Sequence, residues 1–187
     1  LREFIAFDPE QNFPSPSFVR QIENQNLHAL NIPELTIITP AALQTEAERV
    51  AQLHREEGLT VAVIEQEKIF NEFSSGTPDA SAYRRLMKMF YDRAEGNENV
   101  RPRYLLLFGD GSYNNRKSME KLHSPECNML LTYQSKTSID ERESFVIEDY
   151  FGFLEDNSGE EIKVDKVCLG IGRFPISSIK NARLVVD

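Results

Sequence analysis

The sequence predicts an α/β domain in which a parallel β-sheet is flanked by helices. Three apolar segments, Leu35–Thr39, Thr60–Ile64 and Tyr104–Phe108, have the length of strands and are too short for helices. Two longer segments between them carry apolar residues at helical spacing. This order is typical of parallel strands joined by right-handed crossovers. Because the apolar runs are continuous rather than alternating, both faces of the sheet should be covered.

The first predicted helix follows the first strand directly. Thr39 is a suitable N-cap and Pro40 a suitable first helical residue, because the N–H that proline lacks has no partner there. The apolar residues of this helix are Leu43, Ala47, Val50 and Ala51. Gly58 follows them and predicts the end of the helix.

The same residue pair, Thr77-Pro78, precedes the second predicted helix. The residues that share its apolar face are Tyr83, Leu86, Met87, Phe90 and Ala94. Arg84, Arg85 and Lys88 lie toward the other side, and we interpret them as a solvated surface.

Beyond the third strand the sequence is polar from residue 112 to residue 143, which predicts a long surface excursion. Phe145–Leu154 and Lys163–Ile171 favour strands on either side of a glycine-containing turn, so a β-hairpin excursion is expected there. A last helix is expected to begin near Ser178.

Composition and charge exclude several classes of function. The 187 residues include 21 Lys and Arg against 30 Asp and Glu, a formal net charge of −9. Nucleic acid is therefore not an expected partner, because binding to phosphates needs clustered cations. Apolar runs are too short to span a bilayer. Two cysteines are too few for a four-cysteine zinc site or a disulfide scaffold.

The candidate nucleophiles are Cys127 and Cys168. His123 precedes Cys127 by four residues, and a catalytic cysteine needs a nearby base. Such pairs usually come from distant, rigidly supported parts of a chain, so we interpret Cys127 as a loop thiol. Cys168 lies between Val167 and Leu169, where a small buried apolar residue of a strand is expected. A disulfide between the two cysteines is the alternative.

Asp110 is the candidate ligand-binding residue at the end of the third strand. Ligands of open α/β sheets bind beyond the carboxyl ends of strands, so Asp110 could bind a cation or orient loop amides. Turn hydrogen bonding is the simpler interpretation. Gly109, Asp110 and Ser112 suggest the Gly-Asp-Ser motif of serine esterases. Gly111 interrupts that motif, however, and no Asp-x-x-His follows.

Five further stretches are distinctive in their order as well as in their residues. They are Phe70–Asp79, Arg103–Arg116, Leu131–Ser135, Glu148–Leu154 and Ile171–Pro175. Together they resemble the gingipain-type cysteine peptidases, whose caspase-like fold agrees with the predicted parallel sheet. The resemblance covers residues 35–187. It implies that residues 34–187 are the N-terminal subdomain of a gingipain-like peptidase domain, and residues 1–33 a linker or the end of a preceding domain.

The resemblance also implies where the catalytic groups lie. In that family the catalytic His and Cys follow the stretch that matches Ile171–Pro175. We therefore expect no catalytic residue in this chain, with both groups downstream of Asp187, and a fragment that is inactive alone. Family members hold a structural calcium through an Asp that matches Asp110. The acidic position five residues before Arg173 is Cys168 here, so neither calcium nor another cofactor is assigned.

The activity that the resemblance implies is cysteine-type proteolysis linked to secretion. The parent protein would remove C-terminal signals from proteins exported by a type IX secretion system and act as a sortase at the cell surface, associated with the outer membrane. Its expected partners are the C-terminal half of the same peptidase domain, secreted cargo proteins and other secretion-system components. The alternative is a degenerate gingipain-like module that binds cargo without catalysis.

Overall fold

The computed structural model describes residues 7–8, 10, 15, 17–18, 21–116, 127–135, 137, 139–161 and 164–187. The strands are β1 (Leu35–Thr39), β2 (Val61–Glu65), β3 (Tyr104–Phe108), β4 (Asp110–Gly111), β5 (Met129–Leu130) and β6 (Gly170–Phe174). Within these residues a four-stranded parallel sheet has the order β2-β1-β3-β6, and β4 pairs with β5 in parallel. The predicted α/β architecture is confirmed.

Four helices surround the sheet in the described part of the chain. They are α1 (Gln44–Glu56), α2 (Gln66–Phe73), α3 (Ser81–Arg93) and α4 (Ile179–Val186). Short 3₁₀ turns form at Leu27–Ala29, Ala41–Leu43 and Asp149–Gly152. The start of α4 is as predicted, because the Ser178 side chain accepts a hydrogen bond from the Asn181 N–H.

The central position of β1 explains its continuous apolar sequence. It pairs with β2 on one side and with β3 on the other, and all five of its residues are buried. Successive side chains of a strand point to opposite faces. Ile37 therefore packs on one face of the sheet and Ile38 on the other, each in a separate apolar cluster.

The two faces of the sheet are covered by different elements. We call the side under α2, α3 and the Asp149–Gly152 turn the α3 face, and the side under α1 and α4 the α1 face. Buried residues on the α3 face include Ile38, Ile64, Phe70, Tyr83, Leu86, Met87, Phe90, Leu105, Leu107, Phe151 and Phe153. Those on the α1 face are Leu35, Ile37, Leu43, Ala47, Val50, Ala51, Phe108, Ile176 and Ala182.

Both predicted Thr-Pro helix starts are wrong. Thr39 is the last residue of β1, and its extended backbone agrees with the conformation that a following proline imposes. A 3₁₀ turn then leads into α1. The second helix begins later than predicted, at Ser81, whose N–H and hydroxyl both donate to the Asp79 carboxylate at 2.8 and 2.6 Å.

The predicted hairpin formed by Phe145–Leu154 and Lys163–Ile171 is also wrong. The first segment contains the 3₁₀ turn Asp149–Gly152, which buries consecutive aromatic residues against the α3 face, as a strand could not. The second segment includes residues outside those described, and its strand begins only at Gly170 and pairs in parallel with β3. Antiparallel contact occurs elsewhere, between Gln134 and Val146.

The residues just before β1 contact the domain through Glu72 of α2. Its carboxylate accepts hydrogen bonds from the Leu27 N–H at 2.7 Å and from the Gln25 side chain at 2.8 Å, and contacts the His28 ring at 2.6 Å. Leu27 is buried in the α3-face cluster. The division at residue 34 stays a prediction.

Candidate functional site

The segment that follows β3 and the end of β6 lie together at one end of the sheet, where the Gly109 N–H donates to the Phe174 carbonyl oxygen at 3.1 Å. Carboxyl ends of parallel strands meet at the same edge, and this is where open α/β sheets bind ligands. We define the carboxyl edge as Gly109–Gly111, Met129–Thr132, Glu148 and Arg173. Its members come from four separate parts of the sequence.

Arg173 joins these parts. Its Nε and Nη2 atoms donate to the two carboxylate oxygens of Glu148 at 2.9 and 3.1 Å. Nη1 donates to the carbonyl oxygens of Gly109 and Asp110 at 3.2 and 3.1 Å, and Nη2 also donates to that of Leu131 at 3.1 Å. The planar guanidinium suits this arrangement because its five N–H donors have a fixed, forked geometry.

The Arg173–Glu148 ion pair is largely buried, so its loss would affect stability. The Arg173 side chain is 12% exposed and that of Glu148 is 28% exposed. A buried charge is costly unless it is paired and its remaining donors are satisfied, and here the carboxylate and three carbonyl oxygens meet both needs. Loss of either partner would leave the other charge without compensation.

Gln66 and Tyr83 hold the Met129–Thr132 segment from the α3 face. The Gln66 amide donates to the Met129 carbonyl at 2.8 Å, and the Tyr83 hydroxyl donates to the Gln66 side-chain oxygen at 2.7 Å. The same hydroxyl accepts from the Leu131 N–H at 3.3 Å. Burial raises the pKa of Tyr83 above its ordinary value, so the phenol stays neutral and keeps both roles.

Asn115 and Ser112 hold the same segment at its end. The Asn115 side chain donates to the Thr132 carbonyl at 2.6 Å and accepts from the Thr132 N–H at 3.0 Å. The Thr132 hydroxyl donates to the Ser112 carbonyl at 2.8 Å. Buried backbone groups outside regular structure need such partners. Side chains therefore fix an irregular segment at the edge where function is expected.

Asp110, the predicted cation candidate, lies half-buried in β4. Its carboxylate accepts from the Gly111 N–H at 2.8 Å, as the turn interpretation predicts. Among the described residues no group of three or more His, Cys, Asp and Glu side chains is placed to hold a metal ion. The positive group beside the Asp110 backbone is the Arg173 guanidinium. The described residues do not fit the calcium site that the resemblance implies.

The relative burial of the two cysteines is the opposite of what the sequence predicted. Cys127, expected in an exposed loop, is buried with its sulfur 3.8 Å from the Met129 carbonyl oxygen, because its segment packs into the carboxyl edge. Cys168, expected to be buried in a strand, lies half-buried before β6 begins. Both are thiols rather than a disulfide. His123 lies outside the described residues.

Several residues, at this site and elsewhere, have roles that the sequence did not predict. Arg84, interpreted as solvated, donates to the carbonyl oxygens of Phe153 and Ser158, both at 2.6 Å. Gln66 belongs to α2, which no helical pattern predicted. One signal was available for Arg173, since a charged residue inside a strand of a covered parallel sheet needs a partner.

The distinctive sequence stretches converge on this edge. Four of the five contribute to it, through Gly109, Leu131, Glu148 and Arg173 among others. These residues are far apart in sequence and share one hydrogen-bond network. The stretches therefore share a common place in the fold.

Comparison with known proteins identifies relatives of this arrangement. The model of peptidase family C25 matches residues 28–187. The crystal structure of dimeric latent PorU from Porphyromonas gingivalis is similar, with 44% sequence identity and a TM-score of 0.77. The match covers 88% of this chain and 16% of the PorU chain, so this chain spans under a fifth of that protein. No curated protein matches. In the described part of the chain, no helix has both the length and the apolar character needed to cross a membrane.

Proposed function

The chain belongs to peptidase family C25, and from that premise we propose that it forms the non-catalytic N-terminal half of a gingipain-like cysteine peptidase domain. The resemblance to gingipain-type peptidases is confirmed at the level of the family and of the fold. The proposal goes further, because it assigns the catalytic Cys and His to residues beyond Asp187.

One observation carries the proposal, namely how the polar side chains of the carboxyl edge are used. These side chains and those that hold the edge bind one another and nearby backbone groups, as do Glu148 and Arg173 within the edge and Gln66, Tyr83 and Asn115 beside it. A cysteine peptidase needs a thiolate and a base that are held rigidly at hydrogen-bond distance. An edge built in this way supports such a pair supplied by another part of the polypeptide and forms one wall of the substrate cleft.

The similarity to PorU supports a finer proposal for the parent protein. It removes C-terminal secretion signals from cargo of a type IX secretion system and acts as a sortase at the cell surface, associated with the outer membrane. The thiolate attacks the scissile carbonyl, a C–S bond forms and the C–N bond breaks, and the His protonates the leaving amine. An acceptor amine then displaces the thiolate. Cargo and other secretion-system components are its partners.

The surface beside β6 supports the proposal that the C-terminal half of the same domain docks there. Among the described residues, β6 is an edge strand of the sheet, with β3 as its neighbour. Leu184 and Val185 of α4 are 70% and 53% exposed, next to a mainly apolar groove of about 340 Å³. Exposed apolar surface beside an unpaired strand edge favours association with further protein.

Paired substitutions test this docking surface. Leu184→Asp should weaken co-purification of this chain with the segment that follows Asp187 in the natural polypeptide. Leu53→Asp is the matched control, since Leu53 is an exposed leucine on α1. Equal association of both variants, with unchanged melting temperatures, would place the docking surface elsewhere.

A peptidase assay tests the function itself. The full polypeptide should cleave peptides that carry cargo C-terminal signals, whereas residues 1–187 alone should show no cleavage above buffer. Cleavage by the isolated chain that is lost in Cys127→Ala would put the nucleophile in this half and overturn the proposal. Cargo binding by the full polypeptide without cleavage would instead support the alternative, a gingipain-like module that only binds.

A further inference from the structure

We propose that Arg173 is a positioning residue for the peptidase reaction. It sets the relative placement of three loops that form the cleft wall at the carboxyl edge. This inference rests on the proposed function. Arg173 would act through the loops that it binds, without contact with the substrate.

The use of its donors argues for that role. A guanidinium has five N–H groups. The five hydrogen bonds of Arg173 match this number, with two to Glu148 and one each to the carbonyl oxygens of Gly109, Asp110 and Leu131. A guanidinium that binds a substrate carboxylate needs N–H donors that are not already used within the protein. Arg173 therefore organises the site rather than contacting the ligand.

The acceptors of these hydrogen bonds come from loops that are distant in sequence. Gly109 and Asp110 directly follow β3, Leu131 follows β5, and Glu148 precedes the Asp149–Gly152 turn. Arg173 itself lies in β6, one residue before its end, and β6 is paired with β3. A single planar group on the sheet thus fixes three loops relative to one another, which preorganises the edge.

Close packing at Gly111 shows how tightly the loops meet at this group. A Cβ atom added at Gly111 would lie 2.9 Å from the Thr132 side chain and 3.2 Å from the Arg173 guanidinium carbon. The backbone after β3 therefore lies directly against Thr132 and Arg173. Movement of the guanidinium would change the separation of these two loops.

Loss of Arg173 should loosen the edge without unfolding the domain. The Met129–Thr132 segment keeps its hydrogen bonds to Gln66, Tyr83 and Asn115, which do not involve Arg173. The groups released are the Glu148 carboxylate and the carbonyl groups of Gly109, Asp110 and Leu131. Lysine at this position keeps the charge but cannot reproduce the planar fork, so Arg173→Lys is the informative substitution.

The test uses the full polypeptide, with Arg173→Lys compared with Arg103→Lys. Arg103 lies at the other end of β3, is 52% exposed and pairs with Glu34 at 3.3 Å, so it is a matched control. We expect Arg173→Lys to lower kcat about 100-fold with little change in KM, since small misplacement of reacting groups has effects of that size. Amide hydrogen exchange should accelerate at residues 109–111 and 148–149, whereas the core of the sheet keeps its protection.

A second variant separates positioning from loss of folded protein. Glu148→Gln, which removes the charge pair but retains a side-chain acceptor, should lower kcat less than Arg173→Lys, and the double variant should be little worse than Arg173→Lys alone. If activity falls only in proportion to the folded fraction, or equally in Arg103→Lys, the inference is wrong. If the unsubstituted polypeptide cleaves no cargo peptide, the proposed function fails instead, and unchanged exchange in Arg173→Lys would separately show that the arginine does not hold the loops.

Discussion

The two faces of the sheet differ in how completely they are covered. On the α3 face, large aromatic side chains such as Phe90 and Phe151 are fully buried between the sheet and its helices. On the α1 face, smaller residues such as Ala47 and Ala51 fill the space, and α4 leaves Leu184 largely exposed. The core on the α3 face is fully covered by helices, whereas the α1 face has exposed apolar surface that further protein could cover.

The difference extends to the polar groups of each face. From the α3 face, Gln66 and Tyr83 reach the carboxyl edge through hydrogen bonds of which both made by the Tyr83 hydroxyl are buried. On the α1 face, Glu46 of α1 binds two arginines, Arg49 and Arg183, that are themselves substantially exposed. The α3 face therefore supports the candidate site, and the α1 face anchors α4.

The largest effect should follow from opening a cavity in the α3 face. Phe90→Ala removes a fully buried aromatic ring from α3, and we expect the free energy of unfolding to fall by about 3–5 kcal/mol. Urea denaturation followed by circular dichroism measures this change. The loss comes from both the missing apolar contacts and the cavity that remains.

Leu184→Ala is the control on the α1 face. Because Leu184 is 70% exposed, its truncation should change the free energy of unfolding by no more than about 0.5 kcal/mol. A loss in Leu184→Ala comparable to that in Phe90→Ala would mean that α4 is covered in solution, and the contrast between the faces would be wrong.

The next effect should come from the buried hydrogen bonds of the α3 face. Tyr83→Phe leaves the Gln66 side-chain oxygen and the Leu131 N–H without their partner, which should cost about 1–3 kcal/mol of stability. Tyr104→Phe, at a half-exposed residue of β3, should be close to neutral. Hydrogen exchange should locate the Tyr83→Phe defect at Leu131. Protection of that amide equal to the unsubstituted chain would contradict the assigned bond.

The sheet could be predicted from sequence because its signals are local. Leu35–Thr39 and Tyr104–Phe108 each hold enough apolar residues in succession to indicate a buried strand, and both are observed. The apolar face of α3, including Leu86 and Phe90, was equally clear from its spacing. Gly58 ends the first helix region with a φ of +97°, which glycine adopts without strain.

The carboxyl edge could not be predicted in the same way. Its network joins Gly109, Leu131, Glu148 and Arg173, and no local pattern states which distant carbonyl oxygens a guanidinium will meet. The two cysteines were misplaced for the same reason. The polar sequence around Cys127 resembles a loop, yet tertiary packing buries it.

The smallest effect concerns the ion pairs that anchor α4 on the α1 face. Hydrogen bonding from Arg49, assisted by Arg183, holds the pKa of Glu46 below its ordinary value of 4.5. A carboxyl group with a lowered folded-state pKa stabilises the fold at pH values above its unfolded pKa, and this contribution is lost as the pH falls through the lowered value.

Near neutral pH, Glu46→Gln should therefore reduce stability, by no more than about 1 kcal/mol because both arginines are exposed to screening. Glu48→Gln on the same helix is the control, since Glu48 is itself exposed and pairs with Arg55. Denaturation curves at neutral pH and below about pH 4 should show the Glu46→Gln difference shrinking in acid. A difference that persists unchanged at low pH would mean that the side chain packs α4 by shape rather than by charge.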